Sequence, residues 1–123
     1  MNQILLYIAS AMIGIWGVAH LFATKGVVAG FGDLKTDNRH IITMEWIVEG
    51  VGLISIAAFV VAATAIELQS LVSSAIYAVA MGTLVVLAVI SLFTGYKVAF
   101  LPFRLCPFIF IISALLIACG AWL

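Results

Sequence analysis

Charge is what this sequence has least of. Asp, Glu, Lys and Arg make up 8% of its 123 residues, and five basic side chains face five acidic ones. An ordinary soluble domain is about 25% charged. With no basic surplus there is nothing to neutralise a run of phosphates, so nucleic acid is excluded as a partner. Cysteine is scarce too. Cys106 and Cys119 share one apolar run, where their separation amounts to about 20 Å of helical rise. Bridged Cα atoms must lie within about 7 Å. No internal disulfide is expected, and both read as small apolar residues. Alternating polarity of the kind that marks a membrane barrel is absent, because the apolar runs are continuous. No repeat, low-complexity tract or linker breaks residues 1–123, which read as one domain.

Apolar residues are what the chain does have, at 67%. A soluble fold of this size could not bury so much, and disorder needs the opposite composition. A helix needs about 20 apolar residues to cross a hydrocarbon core of about 30 Å. Four segments meet that length: Ile4 to Ala23, Ile41 to Ile66, Leu71 to Phe93 and Leu105 to Leu123. The expected fold class is therefore all-α, an integral membrane bundle of four transmembrane helices. The first segment lacks a basic leader and exceeds a signal-peptide core in length, so it reads as a retained helix.

The connections set the orientation. Lys25, Lys35 and Arg39 lie between the first two spans, and Lys97 and Arg104 between the last two. The remaining connection carries Glu67 and no base. The positive-inside rule makes the basic side cytoplasmic and puts both termini outside, which in a bacterium means the periplasm and an inner-membrane protein. Asp37 or Asn38 is placed to cap the second helix and Ser70 the third. The short link between those two predicts an antiparallel hairpin. Pro102 and Pro107 bracket the entry to the fourth helix, and Tyr96, Phe100 and Phe103 suit the headgroup zone.

Helices associate in lipid by close packing, which small residues permit. Candidate contact stripes are Ser10, Gly14 and Gly17; Gly52 and Ala63 with Glu45, Glu49 and Ile56; Ser70, Ser74, Tyr77 and Met81; and Cys106, Ser113 and Gly120.

Ionisable groups inside a span usually face the bundle interior and mark function. His20, Glu45 and Glu49 are the candidates. The two glutamates stand at i and i+4 and share a face. All three fall at similar depth near the cytoplasmic ends of the first two helices. Two carboxylates one turn apart in low dielectric do not both ionise freely, and an imidazole beside them makes a proton-exchanging site. Trp16, four residues before His20, is placed to wall the pocket, whereas Trp46 is expected to point elsewhere. No metal spacing is present, and no metal or other cofactor is expected. The stretch KGVVAGFGDLKTDNRH, residues 25–40, reads as an interfacial loop. It either connects or forms a lid over His20 and Glu45, with Asp33, Asp37 and Arg39 at the entrance and Arg104 nearby.

The runs AHLFATKGVV and GFGDLKTDNRHIITMEWIVEG, residues 19–28 and 30–50, resemble those of small bacterial four-helix membrane proteins, DoxX-like in overall plan. The resemblance covers the first half of the chain. It implies fold and location, and no catalytic set. Small multidrug resistance transporters are similar in length and helix number, but their coupling glutamate sits in helix one, where this chain has none. DNRHIITMEWIVEG is also similar to the D-x-R…E-G stretch of sterol isomerase-like membrane proteins.

Three functions remain open. In the first, His20, Glu45 and Glu49 act on or bind an apolar, lipid-like molecule, with Trp16, Asp33, Asp37, Arg39 and Arg104 around it. In the second, the glutamates couple protons to transport in a homodimer. In the third, they fix helix register or hold a partner subunit of a membrane complex. Membrane lipids are expected partners in all three.

Overall fold

The computed structural model describes all residues, Met1–Leu123. It contains four long helices and no strands: α1 (Gln3–Gly30), α2 (Thr36–Ile66), α3 (Leu71–Phe93) and α4 (Leu101–Trp122), with a short 3-10 turn at Gly95–Lys97 before α4. All four are long and apolar enough to cross a membrane. Each packs on its sequence neighbours, and α1 also closes on α4. The bundle is thus an up-down-up-down ring with α1 opposite α3. The Asn2 amide donates to the Gly120 carbonyl at 2.7 Å, tying the two chain ends together. Those ends share a side with the α2–α3 link, and the two basic connections share the other.

The core is a thin axial seam. Leu6, Ile13, Leu53, Val60, Tyr77, Leu84, Phe110 and Ile117 are buried, while outward residues such as Phe22 and Val79 are left bare for lipid. Polar groups within the seam other than Ser113 Oγ, which has no partner, are satisfied locally. Thr64 Oγ donates to the Val60 carbonyl at 2.7 Å, which leaves it to accept from the Tyr77 hydroxyl at 3.0 Å. Ser73 Oγ reaches the carbonyls of Ala63 and Glu67. The α2–α3 hairpin is therefore stitched at its closed end. Ser70 caps α3 as expected, accepting from the Ser73 amide at 3.0 Å.

Several expectations need correction. Residues 25–40 are mostly helix, because α1 runs on to Gly30 and α2 starts at Thr36. Only residues 31–35 connect them, so no loop long enough for a lid exists. Thr24 and Val28 bury themselves and carry α1 onward, and Gly32 at φ +74° makes the turn. Neither Asp37 nor Asn38 caps α2. Lys35 holds the cap position without a side-chain bond, and Asp37 sits in the first turn, where its charge suits the helix dipole. α4 starts at Leu101, which puts Pro107 inside the helix. Pro107 has no N–H to give the Phe103 carbonyl.

The α2 stripe also differs. Ala63 is buried as expected, but Gly52 meets no neighbour, and the buried face is Gly50, Leu53, Ala57, Val60, Ala63 and Thr64. The reason is a close crossing with α1. A Cβ on Gly17 would lie 2.8 Å from the Gly50 carbonyl oxygen, and one on Gly50 would lie 3.0 Å from that of Gly17. Two glycines at one level bring the backbones together as no other pair could. In α3 the buried stripe keeps Tyr77 but runs through Ser73, Ala80, Leu84 and Ala88 rather than Ser74 and Met81. The α4 stripe holds, with Cys106, Ser113 and Gly120 all buried.

Candidate functional site

The Gly17–Gly50 crossing positions the site. His20 follows Gly17 by about one turn and faces inward, and the Cβ that Gly50 lacks would lie 3.2 Å from the His20 Cβ. The imidazole is buried, at 6% exposure. Its Nδ1 lies 3.2 Å from the Trp16 carbonyl oxygen, and its Nε2 lies 3.5 Å from Glu49 Oε1. Glu49 itself is 43% exposed.

Trp46 completes the frame. Its indole Nε1 donates to the His20 carbonyl at 2.7 Å, and Thr24 Oγ donates to the same oxygen at 3.0 Å. The Trp46 ring stacks on the imidazole, with centroids 4.6 Å apart and planes at 21°. Its other neighbour is Phe103 of α4, 5.5 Å away. Trp46 therefore does not point elsewhere. It packs on His20 because positions 46, 50, 53, 57, 60 and 64 recur at helical spacing and form the inner face of α2. That recurrence is present in the sequence, on the stripe next to Glu45 and Glu49.

The protonation logic follows from the partners. A carbonyl oxygen only accepts, so the Nδ1 contact requires the proton on Nδ1. A neutral His20 then turns a lone pair toward Glu49, and an ionised carboxylate has no proton to offer. Both are acceptors unless one proton lies between them. One proton between them would make the pair imidazolium–carboxylate or imidazole–carboxylic acid. Either form is neutral overall, which lowers the cost of burial in an apolar medium. At 3.5 Å the contact is an ion-pair approach, longer than a well-formed N–H···O bond.

Beside the imidazole is a cavity of about 270 Å³. Trp16, His20, Trp46, Phe103 and Cys106 form its aromatic end, and Ala23 and Val27 continue it along α1. Its only polar wall groups are the imidazole, the Cys106 thiol and the indoles. The thiol donates weakly to the Pro102 carbonyl at 3.5 Å. The buried Trp16 indole N–H meets no oxygen or nitrogen acceptor and faces the weakly accepting Cys106 thiol.

The other sequence candidates lie apart. Glu45 is exposed and enters no hydrogen bond or ion pair. It stands one turn, about 6 Å, nearer the start of α2, so it shares Glu49's face but not its partner. Asp33, Asp37 and Arg39 are exposed around the α1–α2 link. Arg39 precedes Glu49 by about 15 Å of helix. Arg104 is exposed and donates from Nε to the Val98 carbonyl at 3.0 Å, with its guanidinium 6.0 Å from the Tyr96 ring. It braces the connection before α4. None of these five lines the cavity, and neither does Glu49, which joins the site through its contact with His20. The site therefore gathers His20, Glu49 and Trp16 from the expected set, and adds Trp46, Phe103 and Cys106. No three His, Cys, Asp or Glu side chains gather closely enough to hold a metal ion.

No protein-family model, curated protein or solved structure matches this chain.

Proposed function

We propose that this chain is a bacterial inner-membrane protein that binds an apolar, lipid-like molecule beside the His20–Glu49 pair, which exchanges a proton with it. In this reading the basic connections face the cytoplasm and both termini face out. The observation that carries it is the apolar cavity against a buried imidazole whose carboxylate partner is half open. A purely structural network would leave no cavity and would pair every carboxylate oxygen, yet Glu49 has a single contact and Glu45 has none. Cavities of about 300 Å³ and above, apolar with a few convergent polar groups, are the usual form of small-molecule sites, and this one lies just below that size.

A second reading, a homodimeric proton-coupled transporter subunit, is favoured by the exposure of Glu45 and Glu49 on one stripe of α2. A second copy laid on that stripe would cover both.

The test of the first reading is native mass spectrometry of the protein released from membrane vesicles. The wild type is expected to keep a bound apolar adduct. Ala23→Trp, which fills the cavity, is expected to lose it while retaining helix content. An adduct unaffected by Ala23→Trp, or no adduct at all, overturns the proposal.

A further inference from the structure

The acids of this chain are unevenly placed. Asp33, Asp37, Glu45, Glu49 and Glu67 are all of them, and residues 68–123 contain none. That second half carries two bases, Lys97 in the α3–α4 connection and Arg104 in the first turn of α4. Neither enters an ion pair. The α1–α2 connection differs, because Asp33 and Asp37 stand among Lys25, Lys35 and Arg39. Positive charge is thus left unanswered at the α3–α4 end of the bundle.

Arg104 is held in place there. Its Nε donates to the Val98 carbonyl at 3.0 Å. Its guanidinium stands 6.0 Å from the centre of the Tyr96 ring, within the range of cation–π attraction. Neither contact uses the Nη groups. Their N–H fork is the geometry that suits a phosphate or carboxylate.

An apolar groove begins one turn deeper. Val85, Val89 and Leu92 of α3 and Pro107, Phe108 and Ile111 of α4 enclose about 220 Å³. Arg104, Phe108 and Ile111 follow at helical spacing, so the guanidinium and the groove share one stripe of α4. Tyr96 joins them, since its ring also meets Phe108 edge-on, with centroids 6.2 Å apart. Val89, Leu92 and Phe108 are exposed, so the groove opens toward lipid. From Arg104 to Ile111 the helix rises about 10 Å, and one leaflet of hydrocarbon is about 15 Å deep. The base lies at the connection, where headgroups lie, and the groove runs from it toward the bilayer centre.

A small anion would answer the guanidinium and leave the groove empty. An uncharged lipid would fill the groove and leave the bases unanswered. A second copy packed through the same face would set base against base, because this half of the chain has no acid. We infer that this face binds an anionic phospholipid, with its phosphate on Arg104 and Lys97 and the start of an acyl chain between Val89 and Phe108. The site is separate from the chamber beside His20 and does not depend on it.

The test is native mass spectrometry of the full-length protein in a non-ionic detergent. Phosphatidylglycerol and phosphatidylcholine with identical chains are titrated, and soluble glycerol phosphate is the competitor. Phosphatidylglycerol is expected to bind at least about tenfold more tightly than phosphatidylcholine. Arg104→Gln is expected to remove that preference, while Lys25→Gln, which takes a base from the other connection, keeps it. Val89→Trp fills the groove from a lipid-exposed position and is expected to weaken phosphatidylglycerol about tenfold. Glycerol phosphate in large excess is expected not to displace the lipid. Ala23→Trp, which fills the chamber beside His20, is expected to leave this site unchanged, so the two lipid sites succeed or fail separately. Equal binding of the two lipids, a preference that survives Arg104→Gln or is lost with Lys25→Gln, indifference to Val89→Trp, or displacement by glycerol phosphate overturns the inference. So does a protein dimer that Arg104→Gln dissociates, since the anion is then a carboxylate of a second copy. If Arg104→Gln loses helix content, the Val89→Trp and glycerol phosphate measurements decide.

Discussion

The proton between His20 and Glu49 is a claim about individual atoms, and it is checked there. Nitrogen-15 NMR of histidine-labelled protein is expected to show Nδ1 of His20 protonated, because the Trp16 carbonyl can only accept. A bare Nδ1 would remove the dyad. Glu49→Gln puts an amide donor against Nε2, so the contact survives and unfolding free energy is expected to change by less than about 1 kcal/mol, within the range of a single interhelical hydrogen bond. Transfer chemistry at the site is expected to stop, since an amide has no proton to give at neutral pH. His20→Ala is the harsher change. It removes the stack on Trp46 and opens a void, and it is expected to cost about 2–4 kcal/mol by the scale of large-to-small core substitutions. Sequence reasoning reached His20, Glu49 and Trp16 at this scale, because an ionisable residue inside an oily run stands out. Trp46 was expected to point elsewhere, Phe103 to sit in the headgroup zone and Cys106 only to pack, because an aromatic or thiol there has the same composition as lipid-facing positions.

At the scale of elements, two kinds of helical glycine behave oppositely. Gly50→Ala drives a methyl to within 3.0 Å of the Gly17 carbonyl oxygen, so α1 and α2 must separate, at an expected cost of about 1–3 kcal/mol by overpacking. Gly26→Ala has free space and is expected to stabilise by about 0.5–1 kcal/mol through helix propensity. Detergent-driven unfolding curves measured side by side check both signs. The crossing also sets the depth of the site, so Gly50→Ala is expected to loosen the His20–Glu49 contact as well. Composition showed that glycines mark contact, yet it could not say which ones. Gly50 and Gly52 are two residues apart, and only the rotation of α2 against α1 separates packed from bare.

For the whole molecule, the two basic connections lie at one end of the bundle and the chain termini with the Glu67 link at the other. Single cysteines placed at Lys35 and Lys97 in a background lacking Cys106 and Cys119 are expected to react with a membrane-impermeant thiol reagent from the same side. That side is expected to be cytoplasmic, with a cysteine at Glu67 labelled from the other. Labelling of the Lys35 position from outside intact cells would reverse the orientation.

The length and order of the apolar runs settled that the chain is helical and made of four membrane-length spans, since four unbroken runs with so little charge have no alternating pattern for strands. The sequence also singled out His20 and Glu49, because the transfer cost of ionisable groups sets them apart wherever they point, although only His20 is buried. Helix rotation, the Gly17–Gly50 approach, the continuation of α1 to Gly30 and the cavity along it belong to the folded bundle. In a uniformly oily sequence, lipid-facing and partner-facing residues are chemically alike, so only the packed backbones choose between them.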